Sequence, residues 1–184
     1  KGKIMLKWFK PTWMVESIYT ITPAQLEKNN IKAVVTDLDN TLIAWNHPEA
    51  TEESILWIKE MKQAGIPVVL LSNNSEERVK VVADILELDY IPRGLKPSRR
   101  GLRKAQDILG LPKEEIVMVG DQVMTDVLSA NRFGVKSVLV KPILASDAWN
   151  TKFNRFIELK VMNGLIKSNP EMKWGDSLDE RINE

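Results

Sequence analysis

Along residues 31–140, short unbroken apolar runs alternate with longer stretches in which apolar positions recur every third or fourth residue. The runs Ile31–Thr36, Ile66–Leu71, Glu115–Gly120 and Val135–Val140 read as strands, with a shorter one around Tyr90-Ile91-Pro92. They are continuously apolar rather than alternating, the pattern of a parallel sheet covered on both faces. Helices are expected between them. One starts at the cap Thr51, with Glu52 and Glu53 in its first turn, a stripe of Ile55, Ile58 and Met61, and a stop at Gly65. A second follows Ser75 with the stripe Val79, Val82, Ala83, Leu86, and a third follows Ser98 with Leu102, Ala105, Ile108, Leu109 before Gly110. A fourth runs from about Thr125 to Phe133 and is stopped by Gly134. This alternation predicts an α/β fold with a central parallel sheet of about five strands and helices on both faces, a Rossmann-like arrangement.

The flanks read differently. Residues 1–22 mix lysines with Trp8, Phe9, Trp13, Met14, Ile18 and Tyr19. Two readings stand: an arm that packs its aromatics on the domain, or an anchor at a membrane–water boundary, where tryptophan beside lysine is favoured. Thr22-Pro23 caps a short helix through Lys28. Residues 147–166 predict a helix with Trp149, Phe153, Phe156 and Ile157 on one face and Lys152, Arg155 and Lys160 interspersed; the polar tail after Asn169 is expected to fray. The organisation is one domain: an arm and short helix over 1–30, a core over 31–142, and an amphipathic helix with its tail over 143–184.

Composition narrows the class. The 184 residues are 43% hydrophobic and 28% charged, with a net charge of +1, so no global field draws the chain to nucleic acid or to an anionic membrane. Cysteine is absent, which excludes disulfides, a thiol nucleophile and a cysteine zinc site, and suits a reducing compartment. No apolar run approaches the roughly 18 residues of a membrane span, and the runs in KGKIMLKWFK are too interrupted for a secretory signal. A cytoplasmic protein, peripheral on the inner face of the membrane at most, is expected. No signal for an oligomeric state is visible. The lone histidine, His47, sits in a loop beside a proline and is left out of the chemistry.

Polar residues collect at the ends of the predicted strands. The first ends in Asp37-Leu38-Asp39-Asn40-Thr41, the second in Ser72-Asn73, and the fourth in Gly120-Asp121, with Asp126 in the helix that follows and Lys96 just before another helix. In a parallel sheet these ends share one edge, where open α/β sheets place their ligands. Alone, the first stretch reads equally well as an acidic turn. Together the set makes a carboxylate nucleophile, a second acid, a hydroxyl, a lysine and two further acids. Oxygen-only donors in negative excess favour a hard cation, Mg²⁺ above softer metals.

These segments resemble the four motifs of the haloacid dehalogenase (HAD) superfamily of phosphohydrolases. Asp37–Thr41 is similar to its DxDxT motif, Ser72 to the second, Lys96 to the third, and Gly120-Asp121-Gln122-Val123-Met124-Thr125-Asp126 to the GDxxxxD form of the fourth. The whole chain resembles the YqeG-type phosphatases of subfamily IIIA, related to mitochondrial and plant phosphatases of phosphatidylglycerophosphate. The resemblance implies that Asp37 attacks phosphorus to form a phosphoaspartate and that Asp39 acts as acid and then base. It implies Mg²⁺ held by Asp37, the backbone carbonyl of Asp39 and Asp121, with Asp126 either touching the ion or supporting the groups that do. Ser72, the backbone N–H groups near Leu38 and Asn73, and Lys96 would bind the phosphoryl oxygens, and Thr41 would support the loop.

Residues 43–50 and 73–95 leave no room for a cap domain that would select small substrates. An open site suits a phosphate carried on something large. The aromatic–basic segments 1–20 and 149–160 favour a membrane phospholipid, and each lysine contributes about 1 kcal/mol near an anionic surface. A soluble phosphometabolite or a protein phosphosite is the alternative substrate, and a non-catalytic binding module the alternative class.

Overall fold

The computed structural model describes residues 5–145, 152–179 and 181–182. Six parallel strands form the sheet: β1 (Trp13–Val15), β2 (Ala33–Thr36), β3 (Val68–Leu71), β4 (Asp89–Ile91), β5 (Ile116–Gly120) and β6 (Lys136–Val140), in the order β1-β6-β5-β2-β3-β4. β2 is central, paired with β5 through Thr36↔Val119 and with β3 through Thr36↔Leu70. The chain winds outward from β2 toward β4 and then crosses back to β5, so the strand order reverses beside β2. Such a reversal opens a crevice at the carboxyl edge.

The two faces of the sheet follow from the period-two alternation of strand side chains. Val34, Val68, Leu70, Val117, Val119, Val138 and Val140 face α1 (Pro23–Lys28), α2 (Glu52–Gln63) and α3 (Glu76–Leu86) through Leu26, Trp57, Ile58, Met61, Val79, Val82 and Leu86. Ala33, Val35, Val69, Leu71, Ile116 and Met118 face α4 (Arg100–Leu109) and α5 (Leu128–Phe133) through Leu102, Ala105, Ala130 and Phe133. Both faces are covered, which accounts for the unbroken apolar runs.

The parallel sheet flanked by helices is as expected, and among the described residues it has six strands. Several finer expectations are corrected. The sixth strand comes from the aromatic arm, where Trp13 is fully buried and Met14 pairs with Leu139 of β6. The described residues of the tail pack rather than fray: Gly175 donates to the carbonyl of Met14 over 2.9 Å, Ile182 to that of Thr12 over 2.8 Å, and Leu178 is buried. Ile55 and Ile108 are exposed, because Trp57 and Ser54 fill the inner face of α2 and because α4 buries only Gly101, Leu102 and Ala105. Ser98 precedes the helix cap; its hydroxyl accepts from Arg100 N–H at 3.2 Å, and α4 begins at Arg100. The helix expected from Thr125 opens instead as a π-helical turn over Val123–Val127 that runs into α5.

The last helix, α6 (Lys152–Ser168), docks through Leu165, Val161 and Met162 onto Met14, Val123, Val127, Leu139 and Met172. Of the aromatic face expected for this helix, Phe156 points to solvent, and Trp149 and the side chain of Phe153 lie outside the described residues.

Candidate active site

Asp37 follows β2 directly, its N–H donating to Val119 of β5 at 2.9 Å, so its carboxyl stands at the crevice. The turn after it is held by Asn40, which adopts a left-handed φ of 61° that asparagine tolerates. Asn40 also donates to Ile43 O at 2.6 Å and accepts from Trp45 N–H at 3.1 Å. This places Asp39 on the far side of the crevice from the fourth-motif acids.

Lys96 is the hub. Its ammonium lies 2.9 Å from Asp37 Oδ1 and 2.6 Å from Asp126 Oδ1, and it is buried. Burial opposes its charge, but Asp126 and Asp37 more than offset that and hold the ammonium above its usual range. Burial also raises the Asp37 carboxyl above the ordinary carboxylate range, with Lys96 pulling the other way. The backbone of Lys96 is fixed by Asn73, whose amide accepts from Lys96 N–H at 2.7 Å and donates to Lys96 O at 3.0 Å. Asn73 therefore links the end of β3 to the lysine.

Asp121 closes the set. Carboxylate oxygens of Asp37, Asp121 and Asp126 lie within 4.8 Å of one another. Asp121 accepts a hydrogen bond from Thr41 Oγ1 at 3.1 Å, so this threonine aligns an acid of the cluster. Asp126 tucks against the end of β5, where a Cβ on Gly120 would stand 2.2 Å from its Cγ. Its Oδ2 accepts from Gln122 N–H at 3.2 Å. Three carboxylates against one ammonium leave an all-oxygen, negatively charged cradle that fits a hard divalent cation. Among the described residues, Asp37, Asp121 and Asp126 are the side chains grouped closely enough to hold one.

The carboxylate of Asp39 is outside that trio. Oδ1 accepts from Arg78 Nη2 at 3.1 Å and Nε at 3.3 Å, and Oδ2 accepts from Asn74 at 2.9 Å. Ser72 is buried and its Oγ accepts from Asn74 N–H at 3.1 Å, which leaves its own proton to donate. Leu38 is buried in the core, so only its backbone can face a ligand. Between these groups lies a cleft of about 230 Å³, with Trp45, Gln122, Thr125 and Asn154 also on its walls.

Sequence reasoning thus brings together Asp37, Asp39, Ser72, Asn73, Lys96, Asp121 and Asp126, and puts Thr41 behind Asp121. It missed Arg78, Asn74, Trp45 and Glu158. Arg78 lies in the first turn of α3, directly after the edge that holds Ser72, and that position was its signal. Glu158 of α6 accepts hydrogen bonds from the N–H groups of Val123 and Met124, the first residues of the turn that carries Asp126. Nothing local in the sequence marks that contact, which spans more than thirty residues. No cap intervenes: the segment from Ser72 to Lys96 contains only α3 and β4.

Residues 44–134 match the haloacid dehalogenase-like hydrolase family. The chain is 40% identical over 171 residues to the probable phosphatase YqeG of Bacillus subtilis, covering 93% of this chain and 99% of that protein. Among solved structures, an uncharacterised protein of Listeria monocytogenes serotype 4b superposes with a TM-score of 0.52 at 21% identity, over 65% of this chain and 85% of that one. The cobalt-bound deoxy-D-mannose-octulosonate 8-phosphate phosphatase of Haemophilus influenzae gives 0.50 at 18% identity, over 79% and 94%. Those two likenesses establish the shared fold. With its motif residues gathered at one sheet edge and a relative matched along nearly its full length, the chain belongs to the haloacid dehalogenase-like hydrolases, in the group typified by the YqeG phosphatase.

Proposed function

We propose that the protein is a Mg²⁺-dependent phosphomonoesterase that works through a phosphoaspartate on Asp37. The observation that carries this is the Lys96 ammonium fixed between Asp37 and Asp126, with Asp121 alongside. Lys96 counters the charge of a nucleophilic carboxylate that must meet an anionic phosphoryl group. Mg²⁺, held by Asp37, Asp121, Asp126 and the Asp39 carbonyl, would supply further positive charge for the transferring oxygens.

In the first step a carboxylate oxygen of Asp37 bonds to phosphorus and the ester P–O bond breaks. Asp39 passes a proton to the departing alkoxide. The phosphomonoester, whose second pKa is about 6, can bring that proton as its monoanion. In the second step water attacks phosphorus as Asp39 takes its proton, the Asp37–phosphorus bond breaks, and phosphate leaves carrying that proton, so that Asp37 and Asp39 both return to carboxylates. Ser72 Oγ–H and the N–H groups of Leu38 and Asn73 bind the phosphoryl oxygens throughout.

The favoured substrate is a lipid phosphomonoester, phosphatidylglycerophosphate, met by a protein that is cytoplasmic and peripheral on the membrane's inner face. The uncapped cleft and the family resemblance support this, and no helix among the described residues is long and apolar enough to cross a membrane. The test is phosphate release by the purified protein from an aryl phosphate, soluble sugar and nucleotide phosphates, and phosphatidylglycerophosphate in detergent micelles, with and without Mg²⁺. Mg²⁺-dependent turnover with preference for the lipid is expected. Preference for a soluble phosphate would overturn the lipid assignment, and absence of turnover on every substrate would overturn the phosphatase.

A further inference from the structure

α6 has two faces of opposite character. The inner one carries Asn154 on the cleft wall, Glu158 on the amides of Val123 and Met124, and Leu165 fully buried. The outer one carries Phe156, Leu159 and Ile166, which are 60%, 58% and 42% exposed. Lys160 and Lys167 project among them at helical spacing, and the Lys160 ammonium stands 5.5 Å from the Phe156 ring centroid. Glu158 is the helix's single acid, and it is turned inward. The outward face is therefore apolar and positive, with no negative charge.

The N-terminal turn abuts the same helix. Leu6 packs in the cluster beneath α6, and a Cβ on Gly164 would stand 3.9 Å from its Cδ2. Met5 and Trp8 of that turn are exposed, and they line a groove with Arg99 and Arg132. The N-terminal turn and the C-terminal half of α6 are neighbours in the fold. Single exposed apolar residues are ordinary, but a row of them along one helix, interleaved with lysines, marks an interaction surface.

We infer that the outer face of α6 is where the protein lies on an anionic bilayer. Apolar side chains enter the headgroup boundary to a depth of about 5–10 Å, while lysines beside them meet lipid phosphates, and this face has both. Because α6 also carries Asn154 on the cleft wall, a bilayer bound along its outer face would rest on a helix that lines the cleft. The inference rests on the reading that the substrate phosphate is membrane-borne, and it names the surface that would bring enzyme and lipid together.

The experiment is co-sedimentation of the full chain with phosphatidylcholine vesicles, with and without phosphatidylglycerol. The wild type is compared with Phe156→Ser/Leu159→Ser and Lys160→Glu/Lys167→Glu. None of these residues belongs to the catalytic set, so aryl phosphate turnover should be unchanged and certifies the fold. Expected is binding that requires the anionic lipid and falls by more than about tenfold in each double variant. Hydrolysis of phosphatidylglycerophosphate in detergent should stay at the wild-type rate. Undiminished vesicle binding in both variants would overturn the inference. So would a wild type that ignores vesicles but forms a dimer that Phe156→Ser/Leu159→Ser abolishes. Vesicle binding that depends on α6, in a protein inert toward the lipid in detergent, would refute the substrate and sustain the docking face.

Discussion

Arg78 reaches from the first turn of α3 to Asp39, with Nη2 at 3.1 Å and Nε at 3.3 Å from Oδ1. The guanidinium and Asn74 together occupy both carboxylate oxygens. Asp39 is thus aimed by partners on a different strand–helix unit from its own. Because α3 follows Ser72, one element end positions Ser72 and the Asp39 carboxylate together.

Removing the guanidinium should misdirect Asp39 while leaving Asp37 in place. Arg78→Ala is expected to lower kcat on an aryl phosphate by up to about 10²-fold, part of what acid–base catalysis contributes. Stability should change little, since the pair is only partly buried. Steady-state kinetics at saturating Mg²⁺ is the check; wild-type kcat would show that Arg78 has no hold on Asp39.

Gly120 makes a second prediction from close approach. A methyl group there would overlap the carboxyl of Asp126, at 2.2 Å from both Cγ and Oδ2. Asp126 cannot retreat without leaving Lys96. Gly120→Ala should cost about 1–3 kcal/mol of stability by overpacking and abolish most activity. Denaturant unfolding beside an aryl phosphate assay measures both; a variant as stable and active as the wild type contradicts this placement of Asp126.

Much of the site was legible because sheet topology does the gathering. Once β2, β3 and β5 are read as parallel strands, Asp37, Ser72 and Asp121 must share an edge, whatever the details of the loops. What stayed hidden depends on long-range packing. Trp13-Met14-Val15 looks like part of a basic arm and becomes a strand only because β6 offers it an edge. Leu178 sits in a polar tail, and its burial follows from that strand being there to pack against. Arg78 and Glu158 carry charges that a stripe analysis assigns to solvent. Each is drawn inward by a partner from another element.

Glu158 supplies a pH prediction. Burial raises its carboxyl above the ordinary glutamate value of 4.5, against the pull of the Val123 and Met124 amides. The folded state therefore holds this proton more tightly than the unfolded chain does. Its contribution to stability is complete below about pH 4.5 and is lost as pH rises through the raised value. Glu158→Gln has no such proton to lose. The stability of wild type relative to this variant should decline with rising pH above 4.5 and then level off, as read by urea unfolding at a series of pH values. A difference that grows with pH would reverse the sign and contradict the burial of Glu158.

Everything assigned to the cleft turns on Asp37 as the covalent nucleophile. The most direct measurement is rapid acid quench of the enzyme turning over a phosphomonoester with Mg²⁺, followed by mass mapping of the phosphorylated peptide. Phosphate on Asp37 is predicted, absent in Asp37→Asn, whose turnover should fall by on the order of 10⁴-fold or more while the fold is retained. Full turnover with no phosphate on Asp37, or wild-type rates in Asp37→Asn, would contradict the account.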